Sequence, residues 1–349
     1  MITKMDKIRI VNWLLTRKCN LSCDYCAITK NYNSIPVEYK KIEHYIKNEM
    51  TYEQVITGLS NIKDHNPNAF HIFYGGEPLL YKDLPKIIKY CNNMNIFYTI
   101  ISNNTDMVQP MIKKLFDEVG SIQGFTSSVD PINILENKKD RIIKSIDGLK
   151  RLKDMQEKGI VKDVVAEITC MNNNLDELPG LIEELSNNGI YSDITFVDIA
   201  KSVYYDFSNV TDENILVKPS LKLAKYFIDF LNNPKVLIHM KDIILDKIFS
   251  ILPSNMNCSI DKSLHNITID ADGSLRLCLR IRGTIVPKVI NINNLFYHNG
   301  DIAKNTKQLY NADKQLYCKM CNHTCLLMSD YIDSTENGMN ELVHSDKRG

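Results

Sequence analysis

The chain has 349 residues, 44% of them hydrophobic and 24% charged, an ordinary globular composition with volume for one large core or two of moderate size. Forty-two Lys and Arg balance 42 Asp and Glu; a zero formal charge argues against a general polyanion binder, so no nucleic acid partner is indicated. No apolar run approaches the roughly 20 residues that span a bilayer, and Met1–Ile8 lacks the apolar core of a signal peptide, so no membrane partner and a cytoplasmic location are expected.

A β-like run at Ile8–Thr16 opens the pattern, followed by helical spacing over Thr51–Lys63 and a short apolar strand at Phe70–Tyr74. Helices over Leu84–Asn92, Val108–Glu118 and Asp140–Lys158 then alternate with strands at Ile96–Ser102, Ile122–Val129 and Val164–Cys170. Leu175–Asn188 is a further helix and Ile194–Ile199 a sixth strand. Such alternation predicts an α/β fold with a parallel sheet and helical crossovers, open or curled into a barrel. Past Ile199 the pattern changes to helices at Pro219–Leu231 and Val236–Leu252. Two β-like runs, His265–Ile269 and Ser274–Leu279, flank Asp272-Gly273, a strong hairpin signal. The expected organisation is this alternating α/β unit over 1–205, a helical connector over 206–253 and a small α+β domain with the hairpin over 254–349.

In a reducing compartment the ten cysteines are not expected to form disulfides; eight of them fall in two clusters toward the ends of the chain, and Cys91 and Cys170 lie between. The first cluster is Thr16-Arg-Lys-Cys19-Asn-Leu-Ser-Cys23-Asp-Tyr25-Cys26. Three thiols within eight residues can wrap one loop around one inorganic centre, yet they are one short of the four that a structural zinc or an iron–sulfur cubane takes. One iron of a cubane held this way keeps an open position. A zinc knuckle completed by a nearby histidine such as His44 is the alternative reading.

The spacing Cys-x3-Cys-x2-Cys, with an aromatic residue before the last cysteine, resembles the radical S-adenosylmethionine (radical SAM) superfamily, and three later segments follow in that family's order. Gly75-Gly76-Glu77-Pro78 is similar to its Gly-Gly-Glu-Pro motif, whose backbone and carboxylate hold the methionine ammonium. Ser102-Asn103-Asn104-Thr105 resembles a divergent Thr-Asn-Gly-Thr segment, with Asn104 where glycine is common. Ser127-Ser128-Val129-Asp130 resembles Ser-x-Asp-Gly, with Pro131 in place of the glycine. The resemblance covers residues 8 to about 200. It implies a partial (β/α)6 barrel with its chemistry at the C-terminal ends of the strands. It also implies a [4Fe–4S] cluster on Cys19, Cys23 and Cys26. S-adenosylmethionine would be bound by Tyr25, Gly75, Gly76, Glu77, Pro78, Asn103, Ser128, Asp130 and Arg141. A solvated charge at the start of a helix is an equal alternative for Arg141.

The second cluster, Cys258, Cys278, Cys318, Cys321 and Cys325, resembles the auxiliary-cluster domains of the same superfamily, in their longer SPASM and shorter Twitch forms. Five thiols are too few for two fully ligated cubanes, so one auxiliary [4Fe–4S] cluster on Cys258, Cys278, Cys318 and Cys321 is expected. A structural zinc on these four is the alternative. Cys325 is left over; it and Cys170, at the end of the fifth strand, are the candidate hydrogen-atom donors, with core packing the alternative for Cys170. Glu167 on that strand alternates to the opposite face. The resemblance implies reductive cleavage of SAM to a 5′-deoxyadenosyl radical and abstraction of a substrate hydrogen, with a flavodoxin- or ferredoxin-type reductant as partner. Peptide modification by crosslinking, epimerisation or oxidation is the leading reading, although with eighteen residues ahead of Cys19 no separate peptide-recognition domain is expected there. Dehydrogenation or epimerisation of a carbohydrate or other polar small molecule is the alternative. A non-catalytic iron–sulfur carrier or zinc-stabilised binding module is the alternative outside enzymology.

Overall fold

A computed structural model describes residues 10–21, 23, 26, 49–105, 108–129, 136–196, 221–239, 266–273 and 275–276. Its strands are β1 (Ile10–Thr16), β2 (Phe70–Gly75), β3 (Phe97–Ser102), β4 (Ile122–Ser128), β5 (Val161–Cys170), β6 (Tyr191–Phe196), β7 (Asn266–Ile269) and β8 (Leu275–Arg276). The helices between them are α1 (Tyr52–His65), α2 (Leu84–Asn93), α3 (Gln109–Val119), α4 (Glu136–Glu157), α5 (Leu178–Asn187) and α6 (Leu221–Leu231). They form one sheet in the order β6-β5-β4-β3-β2-β1-β7-β8. All neighbours are parallel except the final β7–β8 pair, the α/β architecture of a partial barrel.

The period of two along each strand separates the two faces of the sheet. Val11, Trp13 and Leu15 of β1, Phe73 of β2, Tyr98 and Ile100 of β3, Phe125 of β4 and Ala166 and Ile168 of β5 pack with the buried stripes of the helices into one core. Each large apolar side chain buried this way stabilises by about 1.5–3 kcal/mol. The one indole of the chain keeps its polar atom satisfied: Trp13 Nε1 donates to His71 Nδ1 at 2.9 Å, and burial pushes His71 down to about 3, so it stays a neutral acceptor. Helix α1 begins at a reciprocal cap, with Gln54 N donating to Thr51 Oγ1 and Thr51 N to Gln54 Oε1. The opposite face of the sheet is polar in its middle, where the Thr99 and Thr126 hydroxyls lie 3.1 Å apart.

Three features differ from the sequence expectation. Strand β6 starts at Tyr191, three residues early, because Tyr191 and Asp193 alternate with the buried Ser192 and Ile194. Residues 236–239, expected to open a helix, run alongside β6 instead: Ser192 N donates to Leu237 O and His239 N to Ser192 O, both at 3.0 Å. The hairpin around Asp272-Gly273 is present, and its first strand pairs with β1 rather than standing apart from the main sheet. The expected divisions at 205/206 and 253/254 lie outside the described residues.

Candidate functional site

The three early cysteines follow the C-terminal end of β1. All three are half-buried, whereas Cys91 and Cys170, the other cysteines among the described residues, are fully buried. Leu21 N donates to Cys19 Sγ at 3.4 Å and Cys26 N to Cys23 O at 3.1 Å, so the loop folds back on itself. Burial pushes the Cys19 thiol up to about 11, against the Leu21 hydrogen bond and with the charges of Glu77, Cys26 and Cys23 adding to it. Any metal held there must displace a proton. Among the described residues no three His, Cys, Asp or Glu side chains converge on one point.

The Gly-Gly-Glu turn locks the root of this loop. Strand β2 ends opposite Thr16 with a shift in register, at Gly75, whose φ is +152°. A Cβ on Gly75 would lie 2.3 Å from Thr16 O, and one on Gly76 2.1 Å from Lys18 O. With no side chain at either position, Gly76 N donates to Thr16 O and Glu77 N to Lys18 O, both at 2.7 Å.

Glu77 is fully buried and caps the short 3-10 turn Pro78–Leu80. Its Oε1 accepts from Leu79 N at 3.1 Å and its Oε2 from Asn103 N at 2.9 Å. Burial raises it to about 7, opposed by the hydrogen bonds from Asn103, Leu79 and Ser102. Each oxygen takes one main-chain N–H, so the carboxylate ties the end of β2 to the end of β3 and keeps lone pairs for a further donor such as a ligand's ammonium.

Asn103 continues the tie. Its Nδ2 donates to Asn20 Oδ1 at 2.8 Å and stands 4.0 Å from Cys19 Sγ, while its Oδ1 accepts from Thr105 N and Oγ1. Asn20 Nδ2 in turn donates to Thr105 Oγ1 at 3.0 Å. Asn104 has φ +48°, the left-handed region asparagine tolerates, which accounts for it where glycine is common. Its side chain fills the space beside Gly148 of α4, where a Cβ would lie 2.6 Å from Asn104 Nδ2.

On the polar face of the sheet, Ser128 at the end of β4 pairs in register with Glu167 of β5, and Glu167 with Asp193 of β6. Thr195 Oγ1 donates to Glu167 Oε1 at 3.3 Å. Glu167 thus stands on the face that alternation assigns it. Cys170 lies on the other face, fully buried in the apolar core beneath the helices. That placement favours the core-packing alternative for Cys170 over a role as hydrogen donor.

A pair that the sequence reading missed is His239 with Asp193, Nδ1 to Oδ1 at 3.4 Å, the imidazole stacked on Tyr191 with ring centroids 4.6 Å apart. Burial lowers the His239 pKa, but the hydrogen bond and charge of Asp193, with Asp163, raise it further, for a net rise. No local signal in Tyr191–Phe196 names His239 as a partner. Arg141 lies on α4, with its side chain outside the described residues. Tyr25, Asp130, Cys258, Cys278, Cys318, Cys321 and Cys325 also lie outside them.

A family model of the radical SAM superfamily matches residues 13–185. Among curated proteins, Fe-coproporphyrin III synthase of Methanosarcina barkeri is 29% identical over 191 residues, covering 53% of this chain and 43% of that protein. The radical SAM cyclopropyl synthase TigE of Paramaledivibacter caminithermalis is 25% identical over 235 residues, 61% of this chain and 49% of its own length. The chain therefore spans about half the length of these relatives. Among solved structures, SuiB of Streptococcus suis bound to its precursor peptide SuiA superposes with a TM-score of 0.52 at 14% identity, covering 94% of this chain and 73% of that one. This likeness supports the shared fold. No helix among the described residues is long and apolar enough to cross a membrane.

Proposed function

We propose that this chain, an enzyme that carries a radical SAM domain over residues 13–185, reductively cleaves S-adenosylmethionine and abstracts a hydrogen atom from a peptide. The observation that carries the reading is the donor set of the cysteine loop. Cys19, Cys23 and Cys26 are the partly exposed thiols among the described residues, and they sit on a loop pinned by the Gly75-Gly76-Glu77 turn. Three soft ligands suit a [4Fe–4S] cluster with one iron left open. When bound, the cluster and SAM supply a one-electron route to a 5′-deoxyadenosyl radical.

The chain's own residues do the positioning. Glu77 fixes the turn after β2 to Asn103, and Asn103 fixes Asn20 beside Cys19. Tyr25, Gly75, Gly76, Glu77, Pro78, Asn103, Ser128, Asp130 and Arg141 are the set proposed for SAM. The face carrying Glu167, Thr195, Asp193 and His239 offers hydrogen-bonding groups to a polar substrate. Cys258, Cys278, Cys318 and Cys321 are proposed to hold one auxiliary cluster, with Cys325 over. SuiB, solved with its precursor peptide and similar in fold, supports the peptide reading. The small-molecule reading keeps its place because Fe-coproporphyrin III synthase is also among the relatives.

The test is anaerobic reconstitution, iron and sulfide analysis, and measurement of 5′-deoxyadenosine after reduction with SAM present. Deuterated candidate peptides and small molecules then show which passes its label into 5′-deoxyadenosine. No iron bound, or no SAM cleavage by the fully loaded protein, rejects the radical reading. Label transfer from a small molecule and none from any peptide rejects the peptide reading alone.

A further inference from the structure

Arg17 stands two residues ahead of Cys19, and its side chain is only 9% exposed. Its Nη2 donates to both oxygens of Asp270, at 2.6 and 2.7 Å. Asp270 is 1% exposed and lies 253 positions away, just past the end of β7. The hairpin turn fixes that carboxylate in place: Ala271 N donates to Asp270 Oδ1 at 2.7 Å, and Gly273 N to Asp270 O at 2.8 Å.

The root of the cysteine loop, residues 16–18, is therefore held on two flanks. The Gly-Gly-Glu turn takes the Thr16 and Lys18 carbonyls on the β2 side. The Arg17 side chain reaches the opposite way, to β7. A third piece closes the frame. Glu49 accepts from Thr16 Oγ1 and Lys18 Nζ, and Met50 N donates to Ala271 O while the Met50 carbonyl accepts from the Tyr81 hydroxyl.

A buried ion pair adds little net stability over an apolar pair of similar volume, and its best-attested use is to fix one register. We propose that Arg17 and Asp270 are a positioning pair for the first cysteine loop, holding it against the C-terminal hairpin so that Cys19 meets the cluster in one orientation. The inference rests on the reading that Cys19, Cys23 and Cys26 hold a cluster. It goes beyond that reading in making a turn some 250 residues away part of the cluster's seat.

The experiment compares the full chain with Asp270→Asn, Arg17→Lys and the paired apolar variant Arg17→Met/Asp270→Leu. Each is reconstituted anaerobically and measured for thermal midpoint, iron content, cluster midpoint potential, the change in the reduced cluster's EPR signal on adding SAM, and SAM cleavage without substrate. The expected result is an altered EPR response and potential in Asp270→Asn, with SAM cleavage down about tenfold, since small misplacements of reacting groups carry penalties of that order or larger. Arg17→Lys, which keeps the charge, should recover part of both. The apolar pair should regain the thermal midpoint without regaining the EPR response. If the apolar pair restores the wild-type EPR response and potential along with the thermal midpoint, the pair is structural and the proposal is overturned. Should the apolar pair fail to fold, a wild-type EPR response and potential in folded Asp270→Asn overturns it equally. A wild-type chain that binds no cluster rejects the underlying reading instead, and the two failures are told apart by iron content alone.

Discussion

The two halves of the sheet handle their polar groups differently. On the β1–β3 side, the groups around the cysteine loop are consumed by one another at 2.6–3.2 Å: Thr16 with Glu49, Glu77 with Asn103 and Leu79, Asn103 with Asn20 and Thr105. On the β5–β6 side, Glu167 meets Thr195 at 3.3 Å and Asp193 meets His239 at 3.4 Å, with the two side chains of the latter pair 31% and 18% exposed. The first half is a rigid seat whose residues serve each other's position. The second half keeps longer contacts and accessible carboxylates, which suits it to meeting a variable partner.

The comparison breaks most sharply at Gly76. Gly76→Ala drives a methyl group into the Lys18 carbonyl at 2.1 Å, backbone against backbone, where neither side can yield. SAM cleavage per mole of protein should fall by a hundredfold or more, on the order expected for misplaced reacting groups, with iron content falling in parallel. Wild-type cleavage in that variant would show the seat to be soft. Next in size is Asn103→Ala, which releases Asn20 and Thr105 together and leaves buried polar groups unpaired. A loss of about 1–3 kcal/mol in urea unfolding of the metal-free protein is expected.

Glu77→Gln sharpens the same half through pH. The folded-state carboxyl is raised from 4.5 to about 7, so the stability it contributes is complete below pH 4.5 and is lost as pH rises through 7. The deficit of the metal-free variant relative to wild type should therefore shrink between pH 5 and pH 8, read as converging urea midpoints; a constant gap would mean that the carboxyl does not titrate in this window. The smallest effect belongs to the other half. The His239 pKa is raised by Asp193, so that pair stabilises below pH 6.5 and its contribution disappears as pH rises past the elevated value. Asp193→Asn should lower the unfolding free energy at pH 6 and not at pH 9, by less than about 1 kcal/mol in urea unfolding, because the pair is partly exposed. An effect as large as that of Asn103→Ala would erase the contrast between the halves.

Most of the fold was legible because apolar periodicity and turn residues are local signals. The period of two in Val164–Cys170 placed Glu167 and Cys170 on opposite faces, and the Asp272-Gly273 turn announced its hairpin. Residues 236–239 were misread because Val236, Leu237 and Ile238 fit a helix as well as a strand, and only pairing with Ser192 decides between them. The partner of β7 was invisible for a related reason: nothing in Asn266–Ile269 names β1, some 250 residues earlier, as its neighbour. In the site, the cysteines and glycines could be read by type and spacing. The destination of the Glu77 carboxylate could not, since it depends on where the Asn103 and Leu79 amides come to rest.

The placement of β7 has a practical side. With β7 on one flank and β2 on the other, β1 is an interior strand, its hydrogen-bonding groups satisfied on both sides. A truncated chain that stops after β6 would strip one side of β1 bare beside the apolar Val11 and Ile10, turning it into a template for strand addition. Shortened versions made to isolate the first 200 residues should self-associate in solution.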